Sequence, residues 1–326
     1  MTRTLAYFQN FMDPVALEIL ADAPGITTQR IAFDADADEN WAQLAQVHGA
    51  QFLPTNETAQ EWFPTRELLE RCPNMLAVSC SGAGYDMFDV EAATELGIMM
   101  VNNSGANSVS VAQHVVGLAM TLSKQIAQTD KAIRANPKIS RMDYVGEELT
   151  DKVIGIVGLG NIGRLVAGYM KVFGAKAIAC DPYITDADFA ERGAEKVDFD
   201  TLFREADIVS INCPLNDETR DMVDARAFGL MKPSAYLVNT SRGPIVDEAA
   251  LIDALKTNKI KGAGLDVFDV EPLPADHELR KLDNTVLTGH LGYVMRENYE
   301  QMYPDAVECI KGWMDGAPVR VLNAAD

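Results

Sequence analysis

Lys152-Val153-Ile154-Gly155-Ile156-Val157-Gly158-Leu159-Gly160-Asn161-Ile162-Gly163 is the stretch that decides how this chain is read. Its first half is a continuous apolar run rich in β-branched residues, the mark of a strand buried on both faces. It passes directly into G-x-G-x-x-G, and Arg164–Phe173 then predicts a helix. Lys176–Cys180 predicts the next strand, which ends at Asp181, 18 residues beyond Gly163. A bare G-x-G-x-x-G carries little information. Strand before, helix after, second strand and closing acid together make it a dinucleotide fingerprint. Gly158 permits the tight turn, Gly160 lets backbone approach a pyrophosphate, and Gly163 lets helix and strand pack closely. With Asn161 and Ile162 they form the candidate cradle, where the helix dipole and free N–H groups favour phosphate charge. A carboxylate at Asp181 accepts from ribose hydroxyls and repels an extra phosphate, so the expected cofactor is NAD.

Outward from this stretch, strand and helix alternate nearly throughout. Thr4–Gln9 predicts a strand, and Asp13-Pro14 opens a helix as N-cap and first helical residue. Further strand–helix pairs are expected at Gln29–Phe33 with Glu39–His48, Gln51–Leu53 with Thr65–Glu70, and Leu76–Cys80 with Val90–Leu96. Gly97 stops the last helix, and Ile98–Val101 adds a strand. Asn107–Arg134 then predicts one long helix, apolar at helical spacing and interrupted only by Gly117. Asn136–Thr150 is polar and irregular, a second alternation runs from Lys152 to about Thr288, and Tyr293–Gly312 predicts a closing helix. Such alternation specifies parallel sheets with helices on their faces. The second alternation is long enough to be a nucleotide-binding domain inserted into the first.

Composition narrows the function. The 326 residues suffice for two ordinary domains, and no apolar run reaches the length of a membrane-spanning helix. Met1–Asn10 lacks the basic-then-apolar order of a signal peptide. Five scattered cysteines (Cys72, Cys80, Cys180, Cys213, Cys309), none in C-x-x-C, argue against a disulfide framework or a zinc site and for a reducing cytoplasm. A formal charge of −20 argues against nucleic-acid or anionic-membrane partners. It also requires that an anionic substrate be held by a locally placed cation.

Three polar segments follow expected strands at Ala235–Val238, Gly262–Leu265 and Thr285–Leu287. They are Asn239-Thr240-Ser241-Arg242-Gly243, Asp266-Val267-Phe268-Asp269-Val270-Glu271-Pro272 and Thr288-Gly289-His290. In a doubly wound sheet ligands bind beyond the carboxyl ends of the strands, so Arg242, Glu271 and His290 are the candidate catalytic set. His48, His114 and His277 read as structural, and Cys213 as lining without a basic neighbour to activate it.

With these segments, with G-L-G-N-I-G, with Ser81-Gly82-Ala83-Gly84-Tyr85-Asp86 and with Gly105-Ala106-Asn107-Ser108-Val109, the chain resembles the D-isomer-specific 2-hydroxyacid dehydrogenase family over nearly its full length. The resemblance implies an α/β architecture of two doubly wound domains, a Rossmann dinucleotide-binding domain inserted into a flavodoxin-like outer, substrate domain. Residues 107–293 would form the former, and 1–106 with 294–326 the latter. It implies a homodimer built around the long helix. It further implies that Arg242 binds and polarises a small 2-oxo or 2-hydroxy acid, that His290 is the acid–base, and that Glu271 orients His290. The backbone of Ala83 and Gly84 would cup the substrate carboxylate. Asp266 would contact the nicotinamide carboxamide, and Cys213, Thr240, Ser241, Gly292 and Tyr293 would line the cofactor side.

Departures from the family pattern bear on substrate choice. Gly289 stands where proline is usual and is expected to loosen the histidine loop. Tyr293 replaces a small residue, and Asn102-Asn103 replaces a more apolar pair. Asn56, Trp62, Tyr85 and Met87 are the outer-domain candidates for closing the pocket. The substrate reading is a glyoxylate or hydroxypyruvate type. A phosphoglycerate dehydrogenase without regulatory domain is the alternative, and an NAD-sensing corepressor-like protein is the reading from another class.

Overall fold

The computed structural model describes residues 2–9, 15–52, 62–298, 300, 308, 311–313 and 316–324. The expected opening at Asp13-Pro14, the pocket candidate Asn56, Cys309 and much of the expected tail helix lie outside these residues. The chain divides into two compact units, Met1–Asn107 with Arg296–Asp326, and Ser108–Met295.

The first unit runs β1 (Arg3–Phe8), α1 (Val15–Ala21), β2 (Ile26–Ile31), α2 (Ala37–Leu44), β3 (Gly49–Phe52), α3 (Arg66–Arg71), β4 (Ala77–Cys80), α4 (Val90–Leu96) and β5 (Met99–Val101). Its sheet is parallel, in the order β2-β1-β3-β4-β5, the flavodoxin-like arrangement. Strand β2 begins three residues earlier than apolar spacing suggests. It is an edge strand, and Thr27, Thr28, Gln29 and Arg30 suit an edge without supplying an apolar signal. Helix α2 starts at the Asp36 cap, whose carboxylate accepts from the Asp38 and Glu39 N–H groups, and stops at Leu44, short of the expected His48. Phe8, Phe52, Trp62, Leu68 and Leu69 fill the core of this unit. Residues 320–323 border β5, with Val321 bridging Val101 antiparallel and Asn323 bonding Met100 N and Ile98 O.

The second unit opens with α5 (Ser108–Ser123) and α6 (Ile126–Ala135). Two helices therefore stand where one was expected. Gln125 sits in the left-handed region at φ 53°, its amide donates to Val145 O, and Glu147 N takes the Ser123 carbonyl. A glutamine tolerating this conformation, held by a loop 20 residues away, leaves no glycine or proline to announce the break.

There follow β6 (Val153–Val157), α7 (Asn161–Val172), β7 (Lys176–Cys180), α8 (Asp186–Glu191), β8 (Glu195–Lys196), α9 (Phe199–Glu205), β9 (Ile208–Ile211), α10 (Ala225–Leu230), β10 (Tyr236–Asn239), α11 (Glu248–Lys256), β11 (Gly262–Leu265) and β12 (Thr285–Leu287). All seven strands are parallel, in the order β12-β11-β10-β9-β6-β7-β8. This is the Rossmann order, extended by one strand. Helices α9, α10 and α11 cover one face through Leu202, Phe203, Phe228 and Leu251. Helices α5 and α7 cover the other through Val115, Leu118, Leu122, Val166 and Met170. Among the described residues no helix is long and apolar enough to cross a membrane.

Phe203 is fully buried in the first of these faces and packs on Phe199, ring centroids 4.5 Å apart. Phe203→Ala should lower unfolding free energy by about 3–5 kcal/mol. Urea denaturation followed by circular dichroism checks this, and a loss under about 1 kcal/mol would contradict the packing described.

Candidate active site

The strand order of the second unit reverses between β6 and β9, and the loops leaving these two strands meet there. Gly158, at φ 87°, is the first residue past β6. A Cβ on it would lie 2.9 Å from the backbone of Asn212 and Cys213, so a side chain has no room. Gly160 is the N-cap of α7, and a Cβ there would meet nothing within 4 Å. Helix α7 begins at Asn161, three residues before the expected Arg164, so Asn161, Ile162 and Gly163 form its first turn. A Cβ on Gly163 would stand 2.2 Å from Gly158 O, which is how closely that turn presses on the loop. The open face above Gly160, the helix end with no side-chain cap and the acid at the end of β7 fit a dinucleotide. Asp181 does more than the sequence announced. Its Oδ2 accepts from Leu159 N at 2.9 Å and its Oδ1 from Tyr183 N at 3.0 Å, so it also fastens the middle of the glycine loop.

Beyond β10, the Asn239 side chain folds the next loop around itself. Its Oδ1 accepts from Ser241 N at 3.0 Å and its Nδ2 donates to Arg242 O at 2.9 Å. Ser241 Oγ donates to the Cys213 carbonyl, tying this loop to the one after β9. Arg242 Nη1 donates to Ser241 O at 2.9 Å. A Cβ on Gly243 would fall 2.1 Å from the Phe268 carbonyl carbon, so the Arg242 loop lies directly on the turn that carries Glu271.

Glu271 precedes a cis bond to Pro272, and its Oε1 accepts from Phe268 N at 3.0 Å. Its Oε2 lies 2.7 Å from His290 Nδ1. An ionised carboxylate can only accept, so the proton of this pair sits on Nδ1 and Nε2 is left for chemistry. His290 is itself in the left-handed region, φ 57°, and its N–H donates to Asp266 O at 2.6 Å. The Tyr293 ring stands edge-on to the imidazole, centroids 5.7 Å apart.

Asp266 is 1% exposed. Its Oδ1 accepts from Thr288 Oγ1 at 2.6 Å and Leu291 N at 2.8 Å, and its Oδ2 from Gly292 N at 2.9 Å. His114 Nε2 approaches Oδ1 at 3.3 Å. Burial by itself would push this carboxyl up. The donors of His114, Thr288, Leu291 and Gly292 together outweigh burial and hold it at about 2. The slack expected from Gly289 is thus taken up by bonds to residues on either side of it. Cys213 carries a thiol pushed up to about 12 by burial, which suits lining and not nucleophilic attack. Thr240 is buried at the end of β10.

In the first unit, Asn102 Nδ2 donates to Ala83 O at 2.8 Å and Asn103 N donates to Gly82 O at 3.0 Å. The Cys80 thiol donates to Gly84 O at 3.1 Å. The loop therefore turns its carbonyls inward, and among the described residues the Ala83 and Gly84 N–H groups have no hydrogen-bond partner. Trp62, expected at the pocket, is instead 3% exposed and packed at a tilt against Trp41 in the core, ring centroids 4.8 Å apart. Tyr85 is exposed, and Met87 packs partly on that core. Asn239 and Thr288 received no role of their own from the sequence, and His114 read as structural. Each acts through a contact distant in the chain or through a loop whose shape no motif records. Among the described residues no group of three or more His, Cys, Asp or Glu side chains is placed to hold a metal ion.

Residues 116–292 match the family described as D-isomer specific 2-hydroxyacid dehydrogenase, NAD binding domain. The chain is 37% identical over 256 residues to a D-3-phosphoglycerate dehydrogenase of Synechocystis, covering 78% of this chain and 46% of that one. It is 37% identical over 249 residues to a hydroxypyruvate reductase of Thermotoga maritima, covering 76% of this chain and 80% of that one. The chain thus spans about half the length of the phosphoglycerate dehydrogenases it matches. Among solved structures it resembles a glyoxylate reductase from Paecilomyes thermophila, TM-score 0.87 at 26% identity, over 99% of both chains.

Because Asp266 titrates lower in the folded protein than its ordinary 3.8, its contribution to stability is present above about pH 4. That contribution, about 2 kcal/mol, is lost as the pH falls toward 2. Asp266→Asn should therefore be less stable than the parent at pH 6, with the gap narrowing between pH 4 and 2. Unfolding curves across that range check it, and a gap independent of pH would contradict the ionised, donor-surrounded carboxylate.

Proposed function

The chain belongs to the D-isomer-specific 2-hydroxyacid dehydrogenase family, and from that premise we propose that it is an NAD-dependent oxidoreductase interconverting a small 2-oxo acid and its D-2-hydroxy acid. The observation that carries the proposal is the 2.7 Å pairing of His290 Nδ1 with Glu271, on the same sheet edge as Arg242 and the glycine cradle. Glyoxylate or hydroxypyruvate is the proposed substrate type, supported by what the Thermotoga and Paecilomyes relatives are named for. The names of the phosphoglycerate dehydrogenases favour a second reading, in which the 2-oxo acid also bears a phosphate.

Gly158–Gly163 would hold NAD, with Asp181 at its ribose, and the cofactor would supply or take the hydride at the substrate carbon. Arg242 binds the substrate carboxylate with its planar, permanently charged fork and polarises the adjoining carbonyl. In a protein of net charge −20 this local cation does what the overall field cannot. His290 gives a proton from Nε2 to the carbonyl oxygen during reduction and takes it back during oxidation. Glu271 holds the imidazole by Nδ1 and so keeps Nε2 turned toward the substrate. Cys213, Thr240, Ser241, Gly292 and Tyr293 line the cofactor side.

The assembly we propose is a homodimer. Val109, Ile126, Ile133, Met142 and Val145 are large apolar side chains left exposed within one 109–145 segment, which is the pattern of a surface awaiting a partner. The proposed compartment is the cytoplasm, in line with five scattered cysteines of which none stands in C-x-x-C.

Two experiments test the reading. NADH oxidation is followed with glyoxylate, hydroxypyruvate, phosphohydroxypyruvate, pyruvate, oxaloacetate and phenylpyruvate, each repeated with NADPH. Turnover with NADH and one favoured acid is expected, and His290→Ala should lower kcat by roughly 10²–10⁴-fold while NADH still binds. No turnover with any acid, or a His290→Ala variant as active as the parent, would overturn it. In the second, Asp181→Asn should narrow the preference for NADH over NADPH, read as the ratio of the two kcat/KM values. An unchanged ratio would remove Asp181 from cofactor selection.

A further inference from the structure

His114 projects from α5, and the chemistry above makes no use of it. Its Nε2 lies 2.9 Å from Thr288 Oγ1 and 3.3 Å from Asp266 Oδ1. Thr288 Oγ1 in turn donates to Asp266 Oδ1 at 2.6 Å. A hydroxyl has a single hydrogen, and this one is committed to the carboxylate. Between His114 and Thr288 the imidazole must therefore be the donor, which fixes a proton on Nε2. Oδ1 of Asp266 then stands under a converging set of donors: the Thr288 hydroxyl, the Leu291 N–H and the more distant His114 Nε2–H.

The same aspartate holds the loop on both sides of His290. Thr288 is bound through its hydroxyl, His290 through its N–H to Asp266 O at 2.6 Å, and Leu291 and Gly292 through their N–H groups. The packing is tight as well. A Cβ on Gly292 would lie 3.0 Å from Asp266 Oδ2 and 3.5 Å from the His114 ring. What these bonds hold is a conformation that a residue with a Cβ adopts only at a cost. His290 has φ 57°, a region that residues other than glycine seldom occupy.

We propose that His114 is a positioning residue for the acid–base: its Nε2–H, acting through Thr288 and Asp266, keeps the His290 loop in its left-handed form and so keeps Nε2 of His290 aimed at the substrate oxygen. The proposal rests on His290 being the acid–base. It makes α5 part of the catalytic apparatus, since the helix carries the donor at the end of the relay. Removing the donor leaves Thr288 Oγ1 without a hydrogen to accept and takes one donor from a carboxylate that is 1% exposed. The loop can answer that loss only by shifting, and His290 shifts with it. A misplacement of about 1 Å at a reacting group costs on the order of a hundredfold in rate.

The test uses His114→Leu, which keeps bulk without a donor, and His114→Gln, whose amide N–H can reach Thr288. Thr288→Val and Thr288→Ser provide the same contrast one step along the relay. For each variant kcat and KM for the favoured 2-oxo acid are measured, with NADH affinity by fluorescence and Tm by calorimetry. His114→Leu and Thr288→Val should lower kcat by about 10–100-fold with NADH affinity within about twofold of the parent, and His114→Gln and Thr288→Ser should restore most of it. Parental kcat in His114→Leu would overturn the proposal. Equal losses in His114→Leu and His114→Gln that follow Tm would do so too, because a packing role predicts them. Should His114→Leu fail to fold, the Thr288 pair decides by the same criterion. His290→Ala in the same series separates the failures. If His290→Ala loses turnover while His114→Leu keeps the parental kcat, this proposal alone falls; if His290→Ala is as active as the parent, the acid–base reading falls and takes this proposal with it.

Discussion

A carboxylate that is both ionised and withdrawn from water must be surrounded by donors, and Asp266 recruits them from two parts of the second unit, the segment after β12 and helix α5. The Thr288 hydroxyl, the Leu291 and Gly292 N–H groups and the His114 imidazole all converge on it. An unpaired charge at such a site would cost several kcal/mol, so the loop after β12 is not free to choose its path. It must deliver those hydrogens, and in doing so it hands its main-chain N–H at His290 to the Asp266 carbonyl. The left-handed turn at His290 and the meeting of its ring with Glu271 follow from that requirement.

A second constraint acts between backbones. The absence of a Cβ at Gly243 lets the loop after β10 lie on the Phe268–Asp269 backbone. Arg242 and Glu271 therefore ride on segments in contact, and the Glu271–His290 bond closes the set. Parallel strands make this possible, because every strand of the sheet ends at the same edge and the loops leaving that edge are neighbours by construction.

Much of this could be read in the sequence, for reasons that particular residues make clear. Residues 152–181 were legible because each glycine answers a local steric demand and each flanking element has its own period. Arg242, Glu271 and His290 could be picked out as a candidate set because polar residues after apolar strands have few structural uses. The gap between α5 and α6 was not, since it depends on Gln125 reaching the Val145 carbonyl and on Glu147 taking the Ser123 carbonyl. Trp62 reads as a pocket residue when its loop is all one sees, but Trp41 and Phe8 claim it for the core. His114 lay on a helix face that apolar spacing had already explained. Only the distance to Thr288, 174 residues along the chain, gives it another use.

Asp181 is usually thought of as a discriminator, a charge that welcomes one ribose and rejects another. Here the same two oxygens also grip the amides of Leu159 and Tyr183. On the proposed reading, selectivity and rigidity are vested in one side chain and cannot be tuned apart. Retargeting the protein to a phosphorylated cofactor by replacing this acid alone would also slacken the glycine turn at Leu159. A redesign would need a new tether for Leu159 before it needed a new cation.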